Sequence, residues 1–239
     1  MITVALHGFT GRPGHWRGVL DAIEPALSGH APDRPVLAGW TFEQEVARIG
    51  AEIAALGEPV HLCGYSMGGR IALAVAARFE VARLTLVGAH PGLQEETARA
   101  ERRARDEVWC ALLEQRGIEA FARAWEDQPM WRSQVALPPT VRERQRAERM
   151  THDPLALAAA LRALGLGAMP PQWSALDSIH APALLVAGAL DPTYGDLAPR
   201  IAARIPRARV AIIDGAGHNV LLERPEALRA ALTHRSESA

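Results

Sequence analysis

The chain has two cysteines, almost no net charge and no long apolar run, and each shortage excludes something. Cys63 and Cys110 in 239 residues cannot make a disulfide framework, and their spacing resembles no metal site. Both read as buried thiols, and no metal or other cofactor is expected. A formal net charge of −1, from 26 basic and 27 acidic side chains, gives no reason to expect nucleic acid or an anionic membrane as a partner. No apolar stretch approaches the roughly 20 residues of a membrane span. The start, Met1-Ile2-Thr3-Val4-Ala5-Leu6, is too short and too little basic for a signal peptide. A cytoplasmic, reducing location is the expectation. Internal repeats and low-complexity segments are also missing.

What is present is a full complement of core formers. At 49% hydrophobic the chain can bury one α/β core with room for an insertion. Four apolar runs, Ile2–Leu6, Val60–Cys63, Leu84–Val87 and Ala183–Ala187, read as strands covered on both faces. A fifth is Arg209–Ile213, and a weaker sixth lies near Ala26–Leu27. Helical patterns separate them, as in Phe42–Leu56 with apolar residues at 42, 46, 49, 53 and 56. The alternation predicts a doubly wound, mostly parallel sheet with helices on both faces. From about Gln94 to Leu166 no strand-like run occurs. Arg, Glu and Ala dominate there, with three of the six tryptophans, Trp109, Trp125 and Trp131. This predicts a helical lid over residues 94–166, inserted into a core of residues 1–93 and 167–239.

The most informative stretch is Gly64-Tyr65-Ser66-Met67-Gly68. A strand leads into it and the helical run Gly69–Arg78 leaves it, the setting of a nucleophile elbow in an α/β-hydrolase fold. A serine needs a base and the base an orienting acid. In such folds the chain order is Ser, acid, His. His218, in Gly217-His218-Asn219 after the last strand-like run, is the expected base. Asp191, just past the run 183–187, is the expected acid. Asp214 is a rival, but it stands so close to His218 that it reads as a turn former. Oxyanion donors should be the N–H groups of Met67 and of Phe9, in the loop His7-Gly8-Phe9-Thr10-Gly11.

Through these motifs the chain resembles the 2-succinyl-6-hydroxy-2,4-cyclohexadiene-1-carboxylate synthases of menaquinone biosynthesis. The likeness is carried by His7-Gly8-Phe9-Thr10-Gly11, by Gly64-Tyr65-Ser66-Met67-Gly68-Gly69-Arg70, by His90-Pro91-Gly92-Leu93 and by Gly217-His218-Asn219. In the lid, Arg99-Ala100-Glu101-Arg102 and Ala124-Trp125 fall at the family's spacing. The resemblance implies a lyase that removes pyruvate from a cyclohexene bearing carboxylates, with Ser66, His218 and Asp191 acting together as a general base. It implies substrate contacts from Tyr65, Arg70, Arg102, Trp125 and Arg149, the arginines reading a small polycarboxylate. Three departures stand out. Asp191-Pro192-Thr193-Tyr194 replaces the family's Asp-x-Lys-Phe, Ser28-Gly29-His30-Ala31 replaces a Gly-His-Gly turn, and the chain opens directly on the strand leading to His7. Two other readings use the same residues: a carboxylesterase or thioesterase with Ser66 as nucleophile, and a ligand-binding hydrolase relative without activity. The sequence leaves oligomeric state open.

Overall fold

The computed structural model describes residues 1–233. Five parallel strands form one sheet: β1 (Ile2–Leu6), β2 (Val60–Tyr65), β3 (Arg83–Val87), β4 (Ala183–Gly188) and β5 (Ala208–Ile213). They lie in chain order across the sheet, in parallel register from Ile2↔Val60 through Gly188↔Ile213. The five expected strands are all present, each within two residues of its expected ends.

Alternate residues of each strand point to opposite faces, and two clusters of buried side chains record this. Val4, Leu6, Leu62, Leu84, Leu86, Ala183, Leu185 and Ala187 belong to the larger cluster. There they pack on α1 (Phe42–Ala54), α2 (Met67–Ala76) and α6 (Pro192–Ala202). Ala5, Cys63, Tyr65, Val87, Leu184 and Val186 belong to the smaller one. It is closed by Trp16, by Val220 and Leu221 of α7 (Val220–Glu223), and by Leu228 of α8 (Pro225–Thr233). Helices therefore cover both faces, as expected. The strand order never reverses, however, so the second face is covered by the loop around Trp16 and the C-terminal helices rather than by a second set of crossovers. The Trp16 indole donates to the Leu6 carbonyl at 3.1 Å, which ties that loop to the end of β1.

The sixth strand expected at Ala26–Leu27 is replaced by a single parallel bridge, Val4↔Ile23. Pro25 has no N–H to give. The backbone groups beyond it are taken by side chains. Leu27 N–H donates to His7 Nε2 at 3.1 Å, Ser28 N–H to Glu45 at 3.0 Å, and the Ala26 carbonyl accepts from Arg48 at 3.1 Å.

Between β3 and β4 the chain makes α3 (Glu96–Glu126), a 3-10 turn at Pro129–Ala136, α4 (Pro139–Arg149) and α5 (Pro154–Leu164). α3 is broken at Gly117, which takes φ 75°. α5 starts on Pro154 with Asp153 capping the N–H groups of Leu155 and Ala156, a combination suited to helix entry. Its Leu157, Ala158, Leu161 and Leu164 are buried in the larger cluster with α1 and α2. No helix among the described residues is long and apolar enough to cross a membrane.

Candidate active site

The site lies at the carboxyl ends of the strands, where ligands of open parallel sheets bind. β2 runs to Tyr65 and α2 begins at Met67, so Ser66 is the whole turn between them. It takes φ 51° and ψ −109°, a strained conformation for a residue with a Cβ. Room for so sharp a turn comes from its glycines. A Cβ on Gly64 would strike the carbonyl of Gly68, and one on Gly68 would strike the carbonyls of Leu6 and His7. The Ser66 N–H is fixed to the Val87 carbonyl at 2.9 Å.

His218 Nε2 stands 3.0 Å from Ser66 Oγ, and His218 Nδ1 lies 2.7 Å from Asp191 Oδ2. Asp191 comes three residues after β4 and caps α6, accepting from the Tyr194 N–H at 3.4 Å. The loop carrying the histidine is sewn to the loop carrying the acid: Leu190 N–H donates to the Ala216 carbonyl at 2.8 Å. Asp214, the rival acid, is exposed and makes no hydrogen bond to His218. The rings of Tyr194, Tyr65 and Trp131 surround the imidazole at 4.6, 5.5 and 5.7 Å between centroids, and His218 is 2% exposed. A hydroxyl within reach of an imidazole that is itself oriented by a carboxylate can transfer a proton or attack a carbonyl.

The N–H groups of Phe9 and Met67 have no hydrogen-bond partner among the described residues. Both residues line a cleft of about 290 Å³ beside Ser66. Phe9 is followed by Thr10, a β-branched residue at φ 62°. Two groups from the helical segment hold Thr10 there: Arg149 Nε donates to its hydroxyl at 3.3 Å and His152 Nε2 to its carbonyl at 3.1 Å.

Of the residues expected to contact substrate, Tyr65, Arg70, Arg102 and Trp125 all line the cleft. Arg70 donates to the Leu164 carbonyl at 2.8 Å and has no carboxylate partner among the described residues. Burial, and then the neighbouring charge of Arg102, lowers its pKa to about 10. Arg102 gives its Nε to Asp106 at 2.8 Å, leaving its terminal nitrogens uncommitted. Arg149 does not line the cleft. It is buried beside it, bonded to Glu126 at 2.5 Å and to Thr10, and burial lowers its pKa. Thr193, which replaces the family's lysine, is exposed and also stays out of the cleft.

The sequence reading missed several lining residues. Arg105 is a third cation there, with no acidic partner among the described residues, while Asp106 is the cleft's acidic side chain. Trp131 and Tyr194 form the wall near His218. Arg105 and Asp106 are three and four residues beyond Arg102, the helical spacing of a shared face, so that signal was available. Nothing in the sequence marks which tryptophan of the helical segment reaches the histidine.

A profile of the alpha/beta hydrolase family matches residues 3–231. A putative 2-succinyl-6-hydroxy-2,4-cyclohexadiene-1-carboxylate synthase of Bacillus subtilis (strain 168) is 32% identical, over 93% of this chain and 85% of that protein. The synthase of the same name from Salmonella agona (strain SL483) is 31% identical, over 93% and 88%. Among solved structures, MenH from S. aureus superposes with a TM-score of 0.92 at 29% identity, covering 97% of this chain and 91% of that one. A thermophilic esterase from Thermogutta terrifontis superposes at 0.80 with 23% identity, over 97% and 88%, a likeness of fold alone. The chain belongs to the alpha/beta hydrolase family and, within it, to the 2-succinyl-6-hydroxy-2,4-cyclohexadiene-1-carboxylate synthases.

Proposed function

We propose that the protein is a carbon–oxygen lyase of menaquinone biosynthesis. It eliminates pyruvate from 2-succinyl-5-enolpyruvyl-6-hydroxy-3-cyclohexene-1-carboxylate to give 2-succinyl-6-hydroxy-2,4-cyclohexadiene-1-carboxylate. The observation that carries this reading is the charge of the cleft. Arg70, Arg102 and Arg105 line it against Asp106 as its acidic side chain, an excess of guanidinium that a substrate with several carboxylates balances. Such a substrate has no ester to acylate, so Ser66 works as a base. Its hydroxyl takes the proton next to the succinyl ketone while passing its own to His218, and Asp191 stabilises the imidazolium. The N–H groups of Phe9 and Met67 receive the negative charge that develops on the ketone oxygen. Electrons then flow through the ring and break the bond to the enolpyruvyl oxygen, and the pyruvate enolate that departs takes up the proton held on His218, leaving as pyruvate with the triad restored. Segment 94–166 acts as the lid that brings Arg102 and Trp125 over the ring. The buried thiols Cys63 and Cys110 suit the cytoplasmic location expected for this step.

The alternative, an esterase or thioesterase, would use the same three residues with Ser66 as nucleophile. One comparison separates them: release of pyruvate from the enolpyruvyl substrate against cleavage of a p-nitrophenyl ester, with intact-mass spectrometry during turnover. The lyase reading requires faster pyruvate release and an unmodified Ser66. Preferred ester cleavage through a Ser66 adduct would replace it.

A further inference from the structure

A buried carboxylate that the proposed chemistry does not use stands behind His218. Glu223, the last residue of α7 and 4% exposed, accepts the N–H of Gly217 through Oε2 at 2.6 Å and the N–H of Asn219 through Oε1 at 3.3 Å. These are the backbone donors immediately before and after His218. No Arg or His forms an ion pair with Glu223 among the described residues. Arg224 donates to the Glu223 backbone carbonyl, at 2.9 Å. A buried charge without a counter-ion is costly unless hydrogen bonds satisfy it, and here both bonds go to one short loop. Only a carboxylate can do this. It offers two acceptors, whereas a glutamine of the same shape offers one acceptor and one donor, and that donor would face an N–H.

We propose that Glu223 is a positioning residue for His218. Its carboxylate brackets the loop 217–219 from behind, as the Leu190–Ala216 bond holds it from the side. Together they set the imidazole at 2.7 Å from Asp191 and 3.0 Å from Ser66. Glu223 is not among the residues lining the cleft, and its side-chain hydrogen bonds go to the backbone on either side of the ring. Its negative charge also reaches the site, since it is the foremost charged neighbour that, with burial, raises the pKa of Tyr65. Tyr65, Tyr194 and Trp131 face the His218 ring from the other elements. The inference rests on the reading of His218 as the base.

The test compares Glu223→Gln, Glu223→Asp and Glu223→Ala with the unsubstituted enzyme in the pyruvate-release assay, with melting temperatures taken in parallel. In folded Glu223→Gln, kcat should fall by one to two orders of magnitude, the cost of a misplacement of about 1 Å. KM should stay within about threefold, because the arginines of the cleft are untouched. Glu223→Asp should recover part of kcat. Unchanged kcat in Glu223→Gln, or a loss confined to melting temperature, overturns the proposal. If no variant folds, hydrogen exchange of the intact enzyme decides. The Gly217 and Asn219 amides must be strongly protected, and exchange at the rate of exposed loop amides overturns it. His218→Ala, assayed alongside, isolates the premise: full activity there removes the base assignment whatever Glu223 does.

Discussion

Ser66, His218 and Asp191 form one hydrogen-bonded chain, so their losses should not add. Ser66→Ala or His218→Ala should each cut kcat by about 10²–10⁴-fold, and the double variant should be little worse than either. Additive losses in single-turnover assays would show two independent roles. The arginines make a different prediction. A hydrogen bond to a charged group contributes about 1.5–3 kcal/mol. Arg70→Ala or Arg102→Ala should therefore lower kcat/KM for the polycarboxylate by roughly 10- to 150-fold, and leave a neutral ester almost unaffected. Equal losses for both substrates would make the arginines structural. At this scale the sequence was most readable where a residue type is tied to a motif: the serine in its Gly-x-Ser-x-Gly turn and the histidine after the last strand. It was least readable where the partner is distant. Arg149 fits the family's spacing, yet its nearest bonds are to Glu126 and Thr10, and no local pattern announces that choice.

Among the elements, the elbow stores strain, and that strain can be measured. Ser66 sits at φ 51°, where a Cβ costs about 1–2 kcal/mol. Ser66→Gly should therefore melt higher than Ser66→Ala, although both lack the hydroxyl. The gap should be about 1 kcal/mol after the extra freedom of glycine in the unfolded chain is deducted. Equal denaturant midpoints would mean that the turn is not strained. The strands were legible because apolar, β-rich runs are local; their unreversed order across the sheet was not, since it is set by pairing between distant segments. The false strand at Ala26–Leu27 has the opposite cause. Its apolar residues are real, but side chains of His7, Glu45 and Arg48 had already claimed the backbone, a competition set by residues 17 to 22 positions away.

The molecule as a whole keeps several histidines neutral by burying them. Burial lowers the pKa of His15, His61 and His90 to about 4 and that of His30 to about 3, and it also lowers His7 and His152. Each is depressed below its ordinary 6.5, so the unfolded chain binds protons that the folded one refuses. Stability should then fall as pH drops from about 6.5 towards 4, and this contribution should be flat above 6.5. Urea midpoints at pH 7, 6 and 5 test this, and equal midpoints at 7 and 5 would contradict it. The α/β alternation and the run of helices between β3 and β4 were visible in the spacing of apolar runs. What composition hides is how that stretch reaches back. Arg149 and His152 hold Thr10 from 139 and 142 residues away. A ribosome delivers the chain N-terminus first. The elbow therefore leaves it long before the groups that set the loop beside Phe9, and His218 leaves it later still. An unfinished chain exposes its serine without the means to use it, so the order of synthesis works as a safety catch on the chemistry.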